Sequence, residues 1–304
     1  MRVNRLIPLG LLAASPCLLP AQPADPEALP TVLSIFREEV KPGRMVAHEK
    51  VRAGWPAVFA KANPDTNWIA LTPMTGDPNV ILYLEGLPSF KALEESNIKI
   101  QAAIAQNAAV KAEFERLGSQ TGDMAQNQRS SLFVYRPAMS YRPPKASDVA
   151  KSRLMAITTI RVKPGRVPDY IDYLKTLNAA REKAGASWVS NAMYQVSAGG
   201  PGGTFLSFSP VRSLAEWDDG YTKADERQKA IDAALGGELV VKMRRERISE
   251  ILIEPSTTNV FTVSRTDSRP SAQFAAFDPD FWTPKPAVPP GKALATKKAE
   301  PAKP

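Results

Sequence analysis

The sequence predicts an α+β protein made of two similar units, each running strand, helix, strand, strand, helix, strand. Three observations predict it. First, Val40-Lys-Pro-Gly-Arg44 recurs 122 positions later as Val162-Lys-Pro-Gly-Arg166. Second, three further matches follow in the same order: Trp68-Ile-Ala-Leu71 with Trp188-Val-Ser-Asn191, Phe90–Glu95 with Leu214–Asp219, and Phe133–Pro137 with Ile251–Pro255. Third, β-branched and aromatic runs bounded by turn residues alternate, in both halves, with stretches of helical spacing.

The first unit, 31–138, is expected to hold strands at 32–40, 67–74, 79–86 and 131–137 and helices at 43–62 and 88–117. The second, 153–256, repeats this with strands at 154–162, 187–196, 203–209 and 249–255 and helices at 165–184 and 212–245. The Lys-Pro-Gly-Arg turn ends a strand and opens a helix, because proline donates nothing to the ladder and glycine frees the backbone to reverse. Thr75-Gly-Asp-Pro-Asn79 and Ser197-Ala-Gly-Gly-Pro-Gly-Gly203 mark the two central hairpins. Val167, Tyr170, Ile171, Leu174 and Leu177 fall on one helical face. Pro56 lies mid-helix in the first unit and should kink or restart that helix after Trp55. The βαββαβ order is the ferredoxin-like split.

The flanks read differently. Residues 1–21 have the form of a secretory signal: Arg2 and Arg5, an apolar stretch from Leu6 to Leu19, then Ala21 before a polar residue. The protein is therefore expected to be exported, to the periplasm or the medium, without stable membrane insertion once the signal is gone. Cys17 falls in that segment, preceded by Pro16 where a lipidation signal wants a small residue. Residues 257–282 carry Val260-Phe-Thr-Val263, Phe274, Phe277, Phe281 and Trp282, too aromatic for a free linker, and are expected to pack onto the body. The tail 283–304 is rich in Pro, Lys and Ala and reads as disordered.

Charge and composition exclude several functions. Of the formal net charge of +8, the tail carries +4 and the signal +2, while 22–30 carries −2, so 31–282 keeps only +4. The dense basic run Lys242–Arg247 ends a predicted helix, where cations suit the helix dipole; no nucleic-acid groove is expected. One cysteine and one histidine leave no cysteine-rich or histidine-rich metal site and no disulfide framework. The Gly-rich hairpin lacks the Lys-Ser/Thr of a phosphate loop, and no Gly-x-Ser-x-Gly elbow supports a serine nucleophile.

A strand, a Val-Lys-Pro-Gly-Arg turn and an amphipathic helix, present twice, resemble the dimeric α+β barrel superfamily, which includes antibiotic-biosynthesis monooxygenase-like and NIPSNAP-like proteins. The resemblance covers 31–138 and 153–256. It implies that two sheets face each other to close a barrel, usually between two chains and here within one, so that a monomer or weak homodimer is expected. It also implies a small-ligand cleft between sheet and helices in each unit. The physical need agrees, because a four-stranded sheet with helices on one face leaves the other bare.

On this reading the candidate ligand-binding residues are His48, Trp55, Trp68 and Arg37. His48 shares a helical face with Val51, Trp55 and Phe59 and is the best single catalytic candidate, as a general base or, less readily, an axial haem ligand. The commoner role for such a residue is a buried, hydrogen-bonded histidine. The Asn, Trp and His set of haem-degrading members does not carry over, since Asn67 and Trp68 adjoin on a strand and His48 lies elsewhere. Trp68 and Trp188 are expected at matching strand positions in the core. Arg37 alternates with Phe36 on the first strand, where an inward guanidinium would suit a carboxylate. No metal or cofactor is called for. The expected function is small hydrophobic-ligand binding, or interaction, through the sheet–helix cleft, with any ligand pocket in the first unit; the alternative is a cofactor-independent monooxygenase or isomerase acting on an aromatic substrate.

Overall fold

The computed structural model describes residues 25–283; the signal segment, Cys17 and the tail beyond Thr283 lie outside the described residues. The first half runs β1 (Val32–Val40), α1 (Met45–Arg52), α2 (Trp55–Ala62), β2 (Trp68–Pro73), β3 (Val80–Leu87), α3 (Phe90–Gln106), α4 (Ala108–Met124) and β4 (Ala125–Tyr135). A short helix α5 (Ala146–Ala150) leads into β5 (Leu154–Arg161), α6 (Val167–Lys183), β6 (Ala192–Ala198) and β7 (Thr204–Val211). Then come α7 (Ala215–Thr222), α8 (Ala224–Leu235), α9 (Glu238–Ile251), β8 (Thr257–Arg269), α10 (Ala272–Ala275) and α11 (Pro279–Trp282).

The protein is α+β, and its strands form one closed antiparallel barrel in the order β1-β3-β2-β8-β5-β7-β6-β4. The strands of each half are contiguous in that ring. Two seams join them: β2 with β8, where Leu71 faces Val263, and β4 with β6, where Tyr135 faces Tyr194. Strand alternation sends Leu33, Ile35, Leu71, Phe133, Met155, Ile157, Tyr194 and Phe208 into one apolar core inside the barrel. The opposite faces of the strands lie under the helices. Tyr170, Leu174, Phe205 and Ile251 make a second core beneath α6 and α9.

The two Lys-Pro-Gly-Arg turns adopt the same backbone. Gly43 and Gly165 take φ of 76° and 78°, a conformation that L side chains rarely adopt. The helix after the first turn breaks at Ala53–Gly54 and restarts at Trp55, slightly earlier than Pro56 alone predicts. Pro56 then sits in the first turn of α2, where no backbone donor is missed. The long helix expected over 88–117 is two helices: Asn107 ends α3, and its side chain accepts from the Ala109 and Val110 amides to start α4.

Three sequence expectations are corrected. The last strand is not 249–255: α9 runs through Ile251, Leu252 makes only an isolated bridge to Val162, and the strand begins at Thr257, beyond Pro255. Residues 257–269 are therefore part of the barrel rather than packed onto it, and the second half extends past 256. Leu132–Tyr135 and Val260–Val263 take like places in the pairing: Phe133 pairs with Leu33, and Phe261 pairs with Met155. Trp188 does not match Trp68 either. It precedes β6 on a loop, 39% exposed, with the Arg227 guanidinium over its ring.

Candidate functional site

One end of the barrel is open. There β1, β2, β5 and β6 begin, β3, β4, β7 and β8 end, and a cavity of about 850 Å³ enters the interior. Its walls come from both halves: Leu33, Ile69, Leu71 and Leu84 from the first, Met155, Ala192, Tyr194 and Phe208 from the second. Phe274 and Phe277, from the segment after β8, cover part of the opening. Pro30 lies across β3 at Gly86, where a Cβ would sit 2.8 Å from the proline ring. The Tyr194 hydroxyl donates to the Pro30 carbonyl at 2.9 Å, and burial pushes that phenol above its ordinary range.

Charged side chains line the cavity as well. Asp25, Asp65, Glu85 and Glu95 line it with Lys99, whose ammonium is 3.1 Å from the Asp65 carboxylate. Burial holds the Glu85 carboxyl above the usual carboxylate range. An apolar interior with a sparse polar rim is the common form of a small-molecule site.

Of the four residues singled out from sequence, Trp68 lines this cavity and His48, Trp55 and Arg37 do not. Trp68 donates its indole N–H to the Asp267 carbonyl at 2.7 Å, with its ring 5.2 Å from that of Phe59. Trp55 packs on Phe59 and Phe114, at ring separations of 5.8 and 5.4 Å, and donates to Thr121 Oγ1. These rings fill the sheet–helix cleft of the first half near Trp55. Arg37 follows Leu33 and Ile35 by alternation, so it faces the barrel interior at the end away from the cavity. There its guanidinium binds Glu39 at 3.1 Å.

His48 is 1% exposed, with Nε2 2.9 Å from Glu38 Oε2 but out of line for a hydrogen bond. Glu38, 2% exposed, also accepts from Gln128 Nε2 at 2.8 Å and from the Tyr83 hydroxyl at 3.5 Å. One turn on, Arg52 is buried and binds Asp267 of β8 at 2.7 Å. Asp267 also accepts from the Ser264 hydroxyl. The set ties α1 to β1, β3, β4 and β8. An axial haem ligand must face space for a porphyrin, and His48 faces Glu38 instead, bordering neither described cavity. The haem reading has no geometric basis here.

Sequence reasoning missed most of this. Arg52 stands four residues after His48, on the same helical face, and was a usable signal. Asp267 was hidden because its segment did not read as a strand. The cavity walls were hidden because they are inward residues of strands far apart in the chain.

No family model matches the chain, and no curated protein matches it. Among solved structures it is similar to an anthrone oxidase-like protein, at 14% identity and TM-score 0.46 over 77% of this chain and 92% of the other. It is also similar to a Lactobacillus acidophilus protein assigned as a monooxygenase, at 8% identity and TM-score 0.41 over 78% and 94%. A third is a variant chlorite dismutase from Candidatus Nitrospira defluvii solved with cyanide, at 9% identity and TM-score 0.43 over 82% and 95%. Identities and scores of this size transfer no activity, substrate or cofactor to this chain.

Proposed function

We propose that the chain is an exported protein that binds a small hydrophobic molecule in the barrel-mouth cavity. The observation that carries this is the apolar cavity of about 850 Å³, open at one end of an otherwise packed barrel. Sites for drug-sized ligands span about 300–1,000 Å³ and are mostly apolar. The ligand's polar end would lie at the rim, beside Glu85, Asp65 and Lys99. Export rests on the signal pattern of residues 1–21, and among the described residues no helix is long and apolar enough to cross a membrane.

We further propose that the chain is a tandem of two ferredoxin-like units of the α+β barrel type, closed intramolecularly. The 122-residue offset of the turns, their shared glycine conformation and the like strand order of the two halves support it. Such closure leaves the sheet no open edge, so the barrel needs no second copy and a monomer or weak homodimer is expected.

The test is displacement of a hydrophobic fluorescent probe. Leu84→Trp fills the cavity and should weaken binding about tenfold or more, while overpacking costs about 1–3 kcal/mol of stability. His48→Ala should leave binding in place. The opposite pattern, loss with His48→Ala and none with Leu84→Trp, would move the site to the sheet–helix cleft. Oxygen uptake with a bound aromatic compound would turn the binding protein into the cofactor-independent oxygenase of the alternative reading.

A further inference from the structure

We propose that the pocket between α6, α8 and α9 binds a small organic carboxylate. This pocket, of about 210 Å³, lies on the helical side of the second half and shares no residue with the barrel mouth. Leu177, Ile231, Leu235 and Val241 give it apolar walls, and Arg181, Arg244 and Arg245 line it with cations.

The charges do not balance within the protein. Asp232 is the carboxylate among the lining residues, and it is engaged: Oδ1 accepts from Gln228 at 2.6 Å and Oδ2 lies 4.0 Å from Arg245. Among the described residues Arg181 and Arg244 have no carboxylate partner. The Arg181 guanidinium is half-buried, and its Nε is enclosed with no hydrogen-bond acceptor. Its remaining contacts are neutral, a hydrogen bond to Asn178 Oδ1 at 3.0 Å and the Tyr141 ring 5.6 Å away. Burial alone holds this group below the ordinary guanidinium range.

A desolvated cation without a counter-ion is costly, and an anion arriving from solvent would relieve that cost. The guanidinium fork matches a planar carboxylate, to which it can donate two parallel N–H bonds. The apolar walls select the rest of the ligand: they would desolvate the outer oxygens of an inorganic phosphate but suit a hydrocarbon body. The volume falls below the about 300–1,000 Å³ of drug-sized sites, which limits that body to one ring or a short branched chain.

The experiment is calorimetric titration of the mature chain at low ionic strength with benzoate, its neutral isostere benzamide, and inorganic phosphate. Saturable benzoate binding is expected, with benzamide and phosphate weaker by about tenfold or more. Arg181→Met and Arg244→Gln should each weaken benzoate by about tenfold, while Leu84→Trp, at the barrel mouth, should leave it unchanged. Ligand-free Arg181→Met should melt no lower than the parent, since it removes an uncompensated cation. If that variant does not fold, Arg244→Gln decides alone. Absence of saturable benzoate binding, equal binding of benzamide or phosphate, or benzoate affinity unaltered by Arg244→Gln would overturn the proposal.

Discussion

Glu38, His48, Arg52 and Asp267 put four ionisable side chains, each less than a tenth exposed, between α1 and the sheet. At the residue scale the cluster is held by the Arg52–Asp267 pair, because either of these two alone would be an uncompensated buried charge. Asp267→Ala should cost about 3–5 kcal/mol by urea denaturation, since it leaves the buried Arg52 guanidinium with only the exposed Glu49 carboxylate, 3.7 Å away. The double variant Arg52→Met with Asp267→Leu should recover most of that loss, because neither charge is then left without the other. A double-variant loss equal to the sum of the two single-variant losses would show that the pair is not coupled. Tyrosines give a second residue-scale prediction. Burial raises Tyr83, Tyr170 and Tyr194 well above the ordinary phenol value of 10.0. Unfolded, these phenols ionise near that value; folded, they stay neutral at higher pH. The stability they support is therefore intact below pH 10 and falls as pH rises beyond it. Ultraviolet titration should show these three ionising only as the fold is lost; smooth ionisation of every tyrosine in a protein that keeps its circular dichroism would contradict this.

At the element scale the segment after β8 matters most. Trp282 of α11 is 7% exposed, donates its indole N–H to the Ala150 carbonyl at 3.0 Å and packs edge-on against Phe274 and Phe281. Trp282→Ala should cost about 3–5 kcal/mol, read as a lower urea midpoint with unchanged slope; a loss under about 1 kcal/mol would mean the segment is not anchored there. The aromatic content of this stretch was legible in the sequence, but its strand was not. Thr257–Arg269 is mostly polar on its outer face, and an apolar run at Ile251-Leu-Ile253 competed for the strand assignment. The central hairpins and the first strand of each half were legible because turn residues bound them. The breaks at Ala53–Gly54 and Asn107 were harder to read. One depends on a glycine that helices tolerate at a cost, the other on a capping side chain inside an otherwise continuous periodicity. His48 stood out as the lone histidine, whereas the cavity is a property of closure and belongs to no single stretch of sequence.

At the scale of the whole molecule the two seams make the halves interdependent. Residues 22–146 expressed alone would expose the inner face of β1 to β4, including Leu33, Ile35, Leu71 and Phe133. Neither that fragment nor 147–282 should fold as a monomer, while co-expression should restore a soluble pair. A well-folded monomer from either fragment, by gel filtration and chemical-shift dispersion, would show that closure is dispensable. The order in which the strands leave the ribosome adds a constraint of timing. β8 is the last strand made, yet it lies between β2 and β5 and completes the ring. Until about residue 269 has emerged, both of those neighbours present open ladders to solvent and to each other's counterparts on nearby chains. Closure must then bring together segments as far apart as Leu71 and Val263, a pairing of high contact order that forms slowly. A nascent chain of this design stays unclosed through nearly all of its synthesis, the state that the export proposed above would require.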